Sequence, residues 1–234
     1  MTRHAAPISG FSSAPPPDRV SATFWALVVA EPLREAVVLD VGTGAGRIAL
    51  GLAPLCRRVV GVDRDPEVID EARRRAYHAG LDNTEFIVAD ADVVDYRALT
   101  DESPALVTAH LFLSDPLVEK SARALAPGGA LAMVGFHVDQ WKETGRPSRF
   151  AYDEARMRRL CEKHGFAVEH LSVEREVETF ASVEQALAAA IGLQETWKSD
   201  GRWFRYIKFL EEGGRTLTRS HVIVKARKEG GGGP

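Results

Sequence analysis

The stretch that most narrows the fold is VVLDVGTGAGRIALGLA, Val37 to Ala53: a short apolar run broken by one aspartate, three glycines at alternate positions, then a second apolar run with helical spacing. A run this short suits a strand covered on both faces of a parallel sheet. Glycine at its end lets the backbone turn sharply and lets a ligand reach main-chain N–H groups that a side chain would shield. The helix that follows presents its positive end to a carboxylate or a phosphate, so this much admits either anion. Spacing narrows the choice. The dinucleotide fingerprint GxGxxG needs glycine at position 47, where Arg47 follows Gly42, Gly44 and Gly46, and the GK[ST] of a phosphate loop is missing.

Beyond this turn, short apolar runs alternate with helical patterns. Strands are expected at 37–41, 58–63, 84–89, 105–111 and 130–136, with helices at 47–54, 66–79, 93–98 and 116–125 between them. That alternation predicts a doubly wound α/β fold with a mostly parallel sheet. A leading helix is expected over 18–35, with Asp18 as N-cap and Pro32 bending or ending it. A fifth helix over 153–164 stops at Gly165, a residue that tolerates the left-handed conformation. AVEHLSVEREVETF and TLTRSHVIVKAR then read as strands that pair antiparallel at one end of the sheet. Between them, 182–215 reads as a helical insertion rich in Trp, Tyr and Phe. Residues 1–17, rich in Pro, Ser and Ala, form a flexible arm, 18–228 the folded domain, and 229–234 a flexible tail.

Composition limits the partners. Across 234 residues, 45% hydrophobic content fills the core of one large domain. A net charge of -3 offers no chain-wide attraction to nucleic acid or an anionic membrane surface, so neither is expected as a partner. Cys56 and Cys161 lack CxxC spacing, which argues against a disulfide framework or zinc site and for a reducing, cytoplasmic setting. No stretch approaches the roughly 18 apolar residues of a membrane span, and the N-terminus lacks the apolar core of a secretory signal.

Four landmarks in order make the reading specific. LDVGTGAG resembles the D/ExGxGxG signature of class I S-adenosylmethionine (SAM)-dependent methyltransferases. VVGVDRDPEVIDEARRRA puts Asp63 at the end of the second strand, FIVADADVVDY puts Asp90 and Ala91 after the third, and ALAPGGALAMVGF matches the Pro-Gly-Gly turn before the fifth. The resemblance spans about 37–136. It implies a Rossmann-like, seven-stranded sheet with an antiparallel last strand, flanked by helices, with the helical insertion before that strand. It also implies SAM as cofactor and S-adenosylhomocysteine as product, no metal, and a small-molecule methyl acceptor.

By the same resemblance Asp40 and the backbone of Gly42, Thr43, Gly44 and Gly46 hold the methionyl end of the cofactor, Asp63 the ribose, and Asp90 with Ala91 the adenine. Arg64 either stacks on that ring or is solvated. The family often opens the fourth strand with aspartate, where this sequence has Ala105. His110, at that strand's far end, is the candidate catalytic residue, as a general base or an orienting donor; a histidine bonded to backbone is the alternative. Acceptor-side candidates are His137 and Trp141 in GFHVDQW, Arg146 and Arg149 in TGRPSRF, and Trp197 in the insertion. The insertion's rings either close as a substrate lid or form core, and the arginines either meet an anionic substrate group or face solvent. SDPL at 114–117 reads as an ordinary helix start. Competing functions are an RNA or protein methyltransferase, and a SAM-binding regulatory protein without turnover.

Overall fold

A computed structural model describes residues 15–230; the expected N-terminal arm falls mostly, and the tail partly, outside the described residues. The leading helix is α1 (Ala22–Val29), shorter than 18–35. Its N-cap is Ser21, whose Oγ accepts the Phe24 N–H at 3.1 Å. Asp18 sits in a turn before it, so the cap reading is corrected by three residues. The helix stops before Pro32, as a residue without an N–H requires.

Then follow β1 (Val37–Val41), α2 (Arg47–Leu52), β2 (Arg58–Asp63), α3 (Pro66–His78), β3 (Thr84–Val88), β4 (Leu106–His110), α4 (Asp115–Ala124) and β5 (Ala130–His137). The helix expected over 93–98 is only a 3-10 turn at Tyr96–Ala98. Next come β6 (Ala151–Tyr152), α5 (Glu154–Lys163), β7 (Phe166–Thr179), α6 (Val183–Ala190), α7 (Gln194–Ser199), α8 (Arg202–Glu211) and β8 (Thr216–Lys228).

The strand order is β3-β2-β1-β4-β5-β8-β7, with β1 to β5 parallel and β8 antiparallel to both its neighbours. The sheet has one short strand more than the seven expected. β4 ends at His110 and Leu111 turns away with φ +60°, which leaves the tip of β5 open on that edge; Ala151 and Tyr152 take the place beside Phe136 and His137. The chain reverses direction across the sheet between β1 and β4, the point where open α/β sheets bind ligands at the carboxyl ends of their strands.

Apolar residues cover both faces, which is why the central strands read as near-continuous hydrophobic runs. Leu39, Val107 and Met133 pack against α4 and α5 through Leu117, Val118 and Met157. On the other face Val38, Leu106 and Ala132 meet Phe24, Trp25 and Val28 of α1, Ile48 of α2 and Ile69 of α3. The insertion closes a third, separate core around Trp197, Trp203 and Tyr206, against Leu217 of β8.

Candidate active site

At the switch point the glycine turn is held by its own backbone. Gly42 and Thr43 N–H both donate to Val62 O, at 2.9 and 3.0 Å. Gly42 has φ +68°, and a Cβ there would lie 2.6 Å from Phe112 Cβ, so both conformation and space demand glycine. Gly46 enters α2 with φ +79° and no side-chain cap. Behind the turn Asp40 is only 1% exposed, and its two carboxylate oxygens accept from Thr43 Oγ1 at 2.6 Å and Thr108 Oγ1 at 2.8 Å. Burial outweighs those hydroxyls and pushes its pKa up to about 6.

Two adjoining cavities run along this rim and share Gly42, His110 and Leu111. The larger, about 430 Å³, is lined by Asp63, Arg64, Asp90, Ala91 and Asp92 at one end. Phe112, Phe136 and Phe150 line it as well. The smaller, about 200 Å³, runs under Asp40, Thr43, Gly44, Ala45 and Arg47. Asp63 Oδ2 accepts the Gly44 N–H at 3.0 Å and its Oδ1 the Asp65 N–H at 3.1 Å, which fixes the carboxylate and leaves it further lone pairs. Asp90 is exposed and accepts the Asp92 N–H at 2.9 Å. An elongated space that runs from the glycine turn, past the half-exposed Asp63 beside it, to the exposed Asp90 fits the amino-acid, ribose and adenine parts of SAM.

His110 stands where the two cavities meet, half-buried, its ring 5.6 Å from that of Phe24. Burial, with the nearby charges of Arg47 and His221 adding to it, lowers its pKa to about 4, so the ring is neutral at pH 7.

The acceptor-side candidates are spread out. His137 is buried on the opposite face of the sheet from His110 and lines neither cavity. Its Nδ1 accepts the Asp139 N–H at 3.2 Å and lies 3.1 Å from Ser220 Oγ, while Nε2 lies 3.2 Å from Glu154. These bonds anchor the segment after β5. Trp141 packs at 5.2 Å on Phe136 and at 5.3 Å on Trp197, and so links the insertion's core to a residue that lines the cleft. Trp197 is fully buried in the insertion's own core. Arg146 is exposed, and Arg149 lies 4.6 Å over Phe150 at the cleft's mouth.

The strand-end rings Phe112, Phe136 and Phe150, and Leu111 in its left-handed conformation, form walls that the sequence reading missed. Phe112 just past β4 and Phe136 near the end of β5 were the available signal.

The description "Methyltransferase domain" is that of the family model matched over residues 33–214. A protein-L-isoaspartate O-methyltransferase of Nitrobacter winogradskyi is 36% identical over 84 residues, 32% of this chain; the matched part spans only 39% of that relative. A candidate methyltransferase of known structure from Bacillus halodurans superposes with a TM-score of 0.68 at 21% identity, covering 89% of this chain and all of that one. The magnesium protoporphyrin IX methyltransferase of Synechocystis, solved with bound S-adenosylhomocysteine, superposes at 0.59 with 15% identity, covering 89% of this chain and 80% of that one. Among the described residues no helix is long and apolar enough to cross a membrane. With the family model covering most of its length, the chain belongs to the methyltransferase-domain family, and it shares its fold with these structures.

Proposed function

We propose that this chain is a SAM-dependent enzyme that methylates a small molecule in the cytoplasm. The observation that carries the reading is the concavity beside His110, where Leu111, Phe112, Phe136 and Phe150 converge on the rim that also bears Asp63 and Asp90. Walls of this kind suit a compact, largely apolar acceptor and exclude water around it. Both cysteines are buried and free, in keeping with a reducing compartment.

The cofactor supplies a sulfonium-bound methyl group; its transfer to a nucleophilic atom of the acceptor yields S-adenosylhomocysteine and releases the acceptor's proton where the acceptor carries one. Of this chain's residues, the Gly42–Gly46 backbone and Asp40, through Thr43, shape the methionyl end. Asp63 takes the ribose hydroxyls by charge-assisted hydrogen bonds. Asp90 and Ala91 take the adenine, with Arg64 at its edge. His110 orients the acceptor: a neutral imidazole presents one donor and one acceptor, and its surroundings disfavour a charged ring, so holding a hydroxyl suits it better than storing a proton.

A protein acceptor is the second reading, favoured by the Nitrobacter relative's name, but that match covers 32% of this chain. The experiment is to incubate the enzyme with methyl-labelled SAM and either a metabolite panel, a total protein extract or nucleic acid. Label in an organic product with matching S-adenosylhomocysteine supports the proposal; label in protein or nucleic acid overturns it.

A further inference from the structure

The two cavities along the rim differ in charge. The larger carries the carboxylates of Asp63, Asp90 and Asp92 against the single guanidinium of Arg64. The smaller carries two guanidiniums, Arg47 and Arg75, against Asp40 alone. Asp40 is 1% exposed and both its oxygens accept from threonine hydroxyls; among the described residues it forms no ion pair with either arginine. A ligand that carries a carboxylate is therefore repelled from one end of the cleft and attracted to the other.

The two cations of the smaller cavity are not equivalent. Arg75 reaches across from α3, and its Nη1 donates to Ala45 O at 2.9 Å, which holds the glycine turn from outside. Arg47, the first residue of α2, is exposed on the cavity's wall. Among the described residues its guanidinium has no hydrogen bond and no ion pair. Its charge nonetheless reaches into the site, because it helps to lower the pKa of His110, which lines the same cavity. A guanidinium presents its N–H donors as a planar fork, and a carboxylate is the anion whose two oxygens match that fork. The space of about 200 Å³ beside it is large enough for an amino-acid group.

We propose that Arg47 binds the carboxylate of the cofactor's methionyl group, and so makes the site discriminate against nucleosides that lack this carboxylate. This rests on the SAM reading above, in which the Gly42–Gly46 turn shapes the methionyl end.

The test measures binding to the full chain by calorimetry, with two ligands: S-adenosylhomocysteine, and its decarboxylated analogue, which keeps the adenosine, the sulfur and the ammonium group. Wild-type protein is expected to bind S-adenosylhomocysteine about tenfold more tightly than the analogue. Arg47→Gln is expected to weaken S-adenosylhomocysteine by about tenfold and to bind the analogue as wild type does, which also shows that the variant is folded. Arg47→Lys keeps the charge without the fork and falls between the two. The inference is overturned if Arg47→Gln binds S-adenosylhomocysteine as wild type does, or if it loses equal affinity for both ligands, the mark of a merely structural role. Either result, with wild-type protein binding S-adenosylhomocysteine, rejects Arg47 alone; wild-type protein that binds neither ligand rejects the SAM reading and the inference with it.

Discussion

The carboxylate of Asp63 accepts the Gly44 N–H across 3.0 Å, so the residue that closes β2 also pins the middle of the glycine turn. One side chain thereby serves two parts of the cofactor cleft. Asp63→Ala is expected to weaken S-adenosylhomocysteine binding by about 1.5–3 kcal/mol, the range for hydrogen bonds to a charged group. Asp63→Asn, which keeps one accepting oxygen, loses less. Calorimetric affinity equal to wild type in the alanine variant contradicts the ribose assignment.

Asp40 links the same turn to pH. Its raised pKa means that, between about pH 4 and 6, the folded protein holds a proton the unfolded chain has released, so this residue's contribution to stability falls as pH rises through that window. Asp40→Asn removes the dependence. Relative to wild type the variant is expected to gain about 2 kcal/mol on going from pH 4 to pH 7, read from urea unfolding at the two values. A difference that stays constant with pH contradicts the buried-carboxyl account.

For His110 the expected pattern is selective. His110→Ala leaves S-adenosylhomocysteine affinity nearly unchanged and lowers turnover by about 100-fold, as loss of an orienting group does. Because burial holds the ring near pKa 4, its protonation leaves wild-type turnover flat from about pH 5 to 8 and depresses it only below that range. An inflection between about pH 6 and 7 that disappears in the variant indicates instead an ordinary, solvated histidine.

Trp197 packs edge-on against Trp141 and Tyr206, with no exposed surface. Trp197→Ala is expected to cost about 3–5 kcal/mol of stability, as large cavities in apolar cores do. Trp197→Phe, which fills most of the space, costs less than half as much. A loss below about 1 kcal/mol in chemical denaturation contradicts the core role and returns this ring to the acceptor side.

The parallel half of the fold was legible because its signals are local. Strand, glycine turn and helix follow one another in sequence, and β1 and β2 end at the expected residues. Asp40, Asp63 and Asp90 were legible for the same reason: each lies at or near the end of its own strand. The acceptor side was not, because it depends on which strands become neighbours. His137 turns from His110 because they sit on opposite faces of the sheet. Ser21 displaced Asp18 as the helix cap through a choice between two polar residues three apart, which propensity does not decide. Strand β6 pairs with the end of β5 that lies past the turn at Leu111, a positive-φ leucine that no sequence pattern announces.

The most direct test is a crystal structure with S-adenosylhomocysteine bound. The account predicts the ribose hydroxyls on Asp63, the adenine against Asp90 and Ala91, and the sulfur facing the space between His110 and Phe136. Product bound away from the Gly42–Gly46 turn, or with its sulfur directed away from His110, contradicts it.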